Sequence, residues 1–432
     1  MLTLRYFWVA LGMSGLVVLV PAWLWLWLVV LAAVALVDIL ACASPRKVRL
    51  TRQPTKSTRT GERTTAVTRV ENLGARTLRG WVKDGWQPTA GARNVVQWAQ
   101  IRGHRSTELQ VRLEPQRRGE LISEHVTIRS LGPLGLAGRQ VTHRVPQTLQ
   151  VLPEFASRKH LPSRLRRLRE LDGATAVQLR GAGTEFDSLR DYVRGDDVRS
   201  IDWRATARRQ DAAGQHLVVR TWRPERDRRV ILCLDASRTS AGRIGDEPRL
   251  DAGVESSLLL GALAAHAGDR VDFLAFAREV TARASSSERG IFLNVLSMAA
   301  SKVEPALVEA DFAQLPGQIT AITTHKSLVV ILTAADSPSL QEGLLPVLPA
   351  LTAKHRVVVA SVSNPELIQR AATRETVSEV YAAAAAERAM IEAEAVASEL
   401  QAMGVEVVQA EPEALPAALA DCYIRLKATG KL

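Results

Sequence analysis

The chain is 432 residues long, 47% hydrophobic and 23% charged, a balance that excludes intrinsic disorder and leaves room for two or three domains with cores of their own. Its formal net charge of +11 is unevenly spread: seven basic residues face one acid between Arg46 and Arg63, and six more lie between Arg158 and Arg169, so an anionic neighbour is expected. The three cysteines, Cys42, Cys233 and Cys422, are far apart and odd in number, which indicates neither a disulfide framework nor a zinc site and suits a reducing compartment.

No charged residue interrupts the stretch from Tyr6 to Val37. As one helix it would run roughly 48 Å, well beyond a hydrocarbon core about 30 Å thick. Pro21 divides it, and Trp23, Trp25 and Trp27 follow where an aromatic belt would sit, so residues 1–44 read as a transmembrane hairpin of two helices. Arg5 and the basic run from Arg46 place the N-terminus and all that follows the hairpin on the cytoplasmic side of the cytoplasmic membrane. Ala41-Cys-Ala43 offers a competing reading as a signal-peptide cleavage site, but the apolar run exceeds the about 7 to 15 residues of such a leader. Asp38, close to the interface, is expected to be hydrated.

Over residues 45–155 the apolar positions alternate, most cleanly in Leu109-Gln-Val-Arg-Leu-Glu114 and His125-Val-Thr-Ile-Arg129, which is the period of half-buried strands. Breaks at Asn72-Leu-Gly74, Asp84-Gly85, Arg102-Gly-His104, Arg118-Gly119 and Gly132-Pro133 recur at the spacing of a β-sandwich-like domain. Trp81, Trp86 and Trp98 read as core, with an aromatic binding face as the alternative. The arginines of this domain are scattered and form no nucleic-acid-binding motif, so nucleic acid is not expected; anionic lipid headgroups beside the hairpin are the simpler partner.

Residues 156–228 read as a linker helix, with Leu161, Leu165, Leu168 and Leu171 near one face, followed by a charged segment from Gly181 to Arg208. There Glu185, Arg190, Asp196, Asp197, Arg199, Asp202 and Arg208 are interleaved with Tyr192, Trp203 and three glycines, Gly181, Gly183 and Gly195. Acids and bases in near-equal number can pair and clamp the segment against the domain that follows, or the segment can be a docking surface for a partner protein. The enzymatic alternative takes Asp196, Asp197 and Asp202 as metal ligands or acid/base groups, with Arg199 or Arg208 stabilising an anion. It lacks a nucleophile beside a base, since Ser200 and Thr206 have no nearby histidine in sequence and His216 stands alone.

Beyond residue 229 apolar strands alternate with helices to the C-terminus at 432: Val230 to Leu234, Val271 to Phe276, Leu328 to Leu332, Val357 to Val362 and Val405 to Val408. Continuously apolar strands signify a parallel sheet covered on both faces, a doubly wound α/β domain, whose sites lie at the carboxyl ends of the strands. Asp235-Ala-Ser-Arg-Thr239 stands at that end of the first strand, where its acid and hydroxyls could hold a cation or cap a turn.

The run Gly-x-Glu-Phe, then Leu-Arg-x-Tyr-x-x-Gly-Asp-Asp-x-Arg-x-Ile-Asp-Trp, then Ala-Arg resembles the signature of the domain of unknown function 58 family. The likeness extends to Gly132-Pro-Leu-Gly-Leu136, Val151-Leu-Pro153 and Tyr423-Ile-Arg-Leu-Lys427. Members are bacterial membrane-anchored proteins in which the signature precedes a von Willebrand factor A-like domain, often encoded beside a MoxR-type AAA+ ATPase. The resemblance therefore implies a non-enzymatic adaptor working with such an ATPase. It also implies that Asp235, Ser237 and Thr239 form a metal-ion-dependent adhesion site for Mg2+. That site is degenerate here, because Ala334 follows the strand ending at Thr333 where an aspartate is expected, and the next acid is Asp336.

Overall fold

The apolar N-terminal stretch forms α1 (Leu4–Leu19) and α2 (Leu24–Ala41). Among the described residues, α2 is the one helix long and apolar enough to cross a membrane. The computed structural model describes all of the chain except residues 20, 21, 23, 179–184, 195, 209, 212, 213, 216, 224–227, 246, 287, 288 and 336–339, so the expected turn at Pro21 and Trp23 lies outside it, as do Gly181, Gly183, Gly195, His216 and Asp336. The chain divides into two compact units, Met1–Glu154 and Phe155–Leu432.

In unit 1 the helices lead into eight strands: β1 (Val48–Arg52), β2 (Thr58–Arg59), β3 (Thr64–Asn72), β4 (Leu78–Trp86), β5 (Val96–Ile101), β6 (Ser106–Leu113), β7 (Gly119–Leu131) and β8 (Gly138–Leu152). They form two sheets, in the orders β1-β3-β6 and β2-β8-β7-β4-β5. The alternation along each strand turns one face inward, so Val70 and Val48 of the smaller sheet meet Leu78, Val82, Val126 and Ile128 of the larger in one core. A polar group crosses this core: Arg52 pairs with Asp84 at 2.9 Å and donates to Ser123 Oγ and Gln147 Oε1, and burial pulls its guanidinium below its ordinary pKa. Trp86 packs against a second apolar cluster around Val111, Leu113, Leu149 and Val151, but Trp81 and Trp98 belong to neither. They stand 43% and 49% exposed, edge to face at 5.2 Å, because their register puts both on the outer face of the larger sheet.

Asp38 departs from the hydrated state its position suggests. It is 1% exposed, and its carboxylate accepts hydrogen bonds from the backbone amides of Leu134, Leu136 and Ala137, each at 2.8 Å. A buried carboxylate persists where donors replace its water shell, and the loop after β7 supplies them. The loop closes so tightly that a Cβ on Gly132 would lie 2.2 Å from Asp38 Oδ1, and Gly135 takes φ +69°, which explains two glycines in Gly132-Pro-Leu-Gly-Leu136. Thr3 Oγ1 donates to Gly135 O at 2.7 Å and the Met1 amino group to Gly138 O at 2.9 Å, so the start of α1 and the end of α2 meet on one loop.

Unit 2 begins with α3 (Leu161–Gln178), followed by β9 (Glu185–Asp191), α4 (Trp203–Arg208), a short hairpin of β10 (Gln210–Asp211) and β11 (Gly214–Gln215), and β12 (Val218–Arg223). The main sheet comprises β13 (Arg229–Asp235), β16 (Arg270–Phe276), β17 (Val280–Ser286), β18 (Leu328–Leu332), β19 (Arg356–Val362) and β20 (Glu406–Ala410), with a second small hairpin, β14 (Arg243–Ile244) and β15 (Glu247–Pro248), beside it. Its order is β17-β16-β13-β18-β19-β20, all pairs parallel except the β16–β17 edge. The expected strands are present, and β17 is an addition that its polar sequence hid. Alternate residues of β13 serve two cores. Val230, Leu232 and Leu234 pack with α5 (Arg249–His266), α6 (Arg289–Ser301) and α11 (Leu415–Ala428). Ile231 and Cys233 pack with α7 (Leu315–Ile322), α8 (Leu348–Thr352) and α10 (Val377–Ala402), the last preceded by α9 (Pro365–Ala372).

Helix α3 is no free linker: Leu168 is buried, Leu161, Leu165 and Leu171 lean on the first core, and Arg164 pairs with Asp421 of α11 at 2.7 Å. Further along α11, Tyr423 Oη donates to buried Asp269 and Lys427 Nζ pairs with it at 3.3 Å, so this helix is locked to the turn between α5 and β16. Burial raises the Asp269 carboxyl above the usual carboxylate range in spite of Lys427. All three cysteines are free and buried, and burial pushes the Cys233 thiol up to about 12.

Candidate functional site

Two groups of residues in unit 2 qualify. The first is the charged segment. Strands β9 and β12 pair antiparallel as a two-stranded sheet of their own, with Glu185 opposite Arg223, and α4 folds back on β12 through Thr206, whose Oγ1 accepts from Val218 N at 3.0 Å. Asp196 bonds Arg190 at 2.6 Å and accepts from Val193 N at 2.9 Å, Asp197 accepts from Arg199 N at 2.9 Å, and Asp202 accepts from Arg204 N and Ala205 N at 3.0 Å while pairing with Arg220 at 2.8 Å. The Arg190 bond holds the Asp196 carboxyl below its ordinary range, as the Ala205 amide, with Arg220, does for Asp202.

Among the described residues, the partners of these three acids lie between residues 190 and 220, so this pairing closes the segment on itself. Outward the segment offers apolar and basic groups, with Asp191 and Asp197 also exposed. Val193, Val198 and Trp203 are 61%, 62% and 65% exposed, and no carboxylate among the described residues pairs with the exposed Arg194, Arg199, Arg204 or Arg208. Tyr192 is half-buried and donates its amide to Leu217 O at 2.8 Å.

The second group stands at the carboxyl end of β13. Asp235 is fully buried; its Oδ1 accepts from Ser237 N at 2.8 Å and its Oδ2 from Thr239 Oγ1 at 3.1 Å and Thr333 Oγ1 at 2.7 Å. Ser237 Oγ and Thr239 Oγ1 are 3.1 Å apart. The sheet order makes this possible, since β18 is the parallel neighbour of β13 and delivers Thr333 to the same edge. The donor set, one carboxylate and three hydroxyls, consists of hard oxygens suited to Mg2+, but it carries a single negative charge, and no cluster of three or more acidic, histidine or cysteine side chains that could hold a metal occurs among the described residues.

Residues 188–369, from β9 through both groups into α9, match the family model described as "Protein of unknown function DUF58". This segment of the chain matches the DUF58 family. The DUF58 span thus takes in Asp196, Asp197, Asp202, Asp235 and Thr333 and leaves out unit 1, α3, α10 and α11. No curated protein matches the chain. Among solved structures it is similar to the ASH/PapD-like domain of human CEP192 (PapD-like domain 7), at 14% identity over 24% of this chain and 85% of that one with a TM-score of 0.20. It is also similar to the YadV chaperone, at 16% identity over 24% of this chain and 51% of that one with a TM-score of 0.17. Likenesses at these TM-scores do not establish a fold for this chain.

Sequence reasoning placed Asp235, Ser237 and Thr239 together but passed over Thr333 as a bystander to Ala334. The available signal was its position, the first residue beyond an apolar strand of the same sheet. Asp269 carried no signal at all, since only the packing of α11 brings Lys427 and Tyr423 to it.

Proposed function

We propose that this protein is a membrane-anchored, non-enzymatic adaptor that works with a MoxR-type AAA+ ATPase in chaperone-like maturation or envelope assembly, its soluble units facing the cytoplasm. The observation that carries the reading is the outward chemistry of the signature: Asp196 and Asp202 pair with arginines inside the segment, while Trp203, Val198 and Val193 and four arginines are left to solvent. An exposed tryptophan in a segment that also exposes arginines has the composition of an interaction hot spot, and it suits a partner presenting acidic residues around an apolar pocket.

The strand order with one antiparallel edge, and Asp235-x-Ser-x-Thr239 at the end of the central strand, support a von Willebrand factor A-like reading of the α/β sheet. In that reading Asp235, Ser237 and Thr239, with Thr333, hold Mg2+ weakly. The meeting of α1 and α2 on the loop after β7 supports a helical hairpin as the anchor, with α2 as the span.

Purified full chain in detergent is expected to retain a purified MoxR-type ATPase from the same organism. Trp203→Ala should weaken that retention by about tenfold or more with an unchanged melting temperature, as should Val198→Ser to a lesser degree. Equal retention by wild type and both variants would sink the proposal.

A further inference from the structure

The basic run from Arg46 to Arg63 is not one surface. Arg49 pairs with Glu71 at 3.7 Å, Arg52 is buried against Asp84, Arg59 Nη1 donates to Pro153 O at 2.8 Å, and Arg63 reaches Glu114 at 3.5 Å. Lys56 follows Thr55, which bonds Thr148 O on β8. Ten residues of strand separate that point from Gly138 beside the helix ends, roughly 30 Å and several Debye lengths at physiological salt. Only Arg46 and Lys47 of the run stay with the end of α2.

A different set of cations joins them there through the fold. The turn after β3 is tied to the helix end: Leu73 N donates to Lys47 O at 2.9 Å, and Arg76 Nη1 donates to Leu40 O. The turn between β5 and β6 is tied in turn to that one, with His104 N donating to Asn72 O at 2.9 Å and Asn72 N to Arg105 O at 2.9 Å. Arg46, Lys47, Arg102 and Arg105 are all exposed, and none has a carboxylate partner among the described residues. Two exposed leucines are tied by their amides to the same helix end, Leu73 to Lys47 O and Leu134 to Asp38, at 42% and 55% exposure.

We propose that this end of unit 1 is a binding surface for anionic phospholipid headgroups, with Arg46, Lys47, Arg102 and Arg105 holding phosphates while Leu73 and Leu134 enter the interfacial layer. The proposal rests on the reading of α2 as a membrane-crossing helix. Leu134 cannot swing away from that helix, because its amide is held by Asp38, in the last turn before Ala41. One helical turn is about 5 Å, close to the roughly 6 Å depth of the headgroup layer on one side of a bilayer, so a span ending at Ala41 puts this loop at headgroup level. Like charges gathered without counter-charges repel one another, and an anionic leaflet supplies what the protein does not.

The test uses the full chain reconstituted in vesicles of phosphatidylcholine with a minority of phosphatidylglycerol. The chain is then extracted in mild detergent, and its retained lipid is measured by mass spectrometry. Phosphatidylglycerol is expected to be enriched about threefold or more over the bilayer composition, and the enrichment should disappear at high salt and in the variant Arg46→Gln/Lys47→Gln/Arg102→Gln/Arg105→Gln. Millimolar inorganic phosphate should not displace the lipid. Enrichment that is absent, insensitive to salt, unchanged in the variant or abolished by free phosphate overturns the surface. Failure of the wild type to float with the vesicles overturns the membrane-crossing reading as well, which separates the two. The salt arm needs no variant, so a misfolded quadruple substitution does not protect the proposal.

Discussion

Asp38 and Asp202 perform the same local task in opposite surroundings. Asp38 takes three backbone amides and is shut away from water, whereas Asp202 takes two, with Arg220 as a half-exposed counter-charge at the surface. In the first, donors and acceptor have given up their hydration and depend on one another. In the second, the Asp202 side chain keeps 13% of its surface exposed and Arg220 46%, so water reaches the pair and can replace a lost Arg220. A carboxylate that organises a loop is thus indispensable in one place and replaceable in the other, and burial rather than hydrogen-bond number makes the difference.

The comparison can be broken most directly at Asp38. In Asp38→Asn the side-chain nitrogen cannot accept, so a buried amide is orphaned and the charge is lost; a loss of about 3 kcal/mol or more is expected from denaturant unfolding of the full chain in detergent. Gly132→Ala should act in the same direction, because its Cβ would collide with Asp38 Oδ1. Unchanged midpoints for both would show that the loop does not depend on the carboxylate.

Lys427→Met applies the same reasoning to Asp269 and should cost about 2–4 kcal/mol, by leaving a buried carboxylate without its cation. The pH dependence has a definite sign. Burial raises the Asp269 carboxyl, so the folded state binds that proton more tightly than the unfolded chain does. Its contribution is therefore fully present below the ordinary carboxylate value, near about 3.9, and is lost as pH rises from there through the raised value. Urea midpoints across that window should fall more steeply in Lys427→Met than in wild type, and this component should vanish in Asp269→Asn.

Thr333→Val keeps shape and removes one of three donors to Asp235, for an expected loss of about 1 kcal/mol in thermal unfolding. With a single carboxylate, Mg2+ should raise the wild-type melting temperature slightly. A rise of more than about 4 °C would contradict a weak site.

The smallest effect on stability is expected at the surface carboxylate itself. Asp202→Ala should speed amide hydrogen exchange across residues 190–220 and leave the melting of the main sheet unchanged. Because Ala205 N–H and Arg220 hold this carboxyl below its ordinary range, its contribution is present above that range and is lost as pH falls through it. A shift in the melting of the whole unit would restore a clamp between signature and sheet.

Much of this was legible in the chain. Period-two alternation foretold the strands of unit 1, and uninterrupted apolar runs foretold five of the six strands of the main sheet, since each pattern is dictated by which faces are covered. The misreadings have physical causes of their own. Trp81 and Trp98 follow the same alternation as core residues would, and nothing local tells which face of the larger sheet is outward. Polar β17 is an edge strand and lacks the apolar signal of its neighbours. The basic run after α2 looked like one patch because sequence proximity was taken for proximity in space, whereas an extended strand carries consecutive charges apart at about 3.3 Å per residue.

By itself, then, the sequence determined the kinds of element, the location of the apolar N-terminal helices, the family signature and the turn Asp235-Ala-Ser-Arg-Thr239, because propensity, periodicity and short-range hydrogen bonding act over a few residues. The tertiary structure alone decided which carboxylates are buried and what they hold: Asp38 on a loop almost a hundred residues away, Asp269 under α11, Asp235 beside Thr333. Desolvation and pairing depend on what the rest of the chain brings to a residue, and no local pattern encodes that.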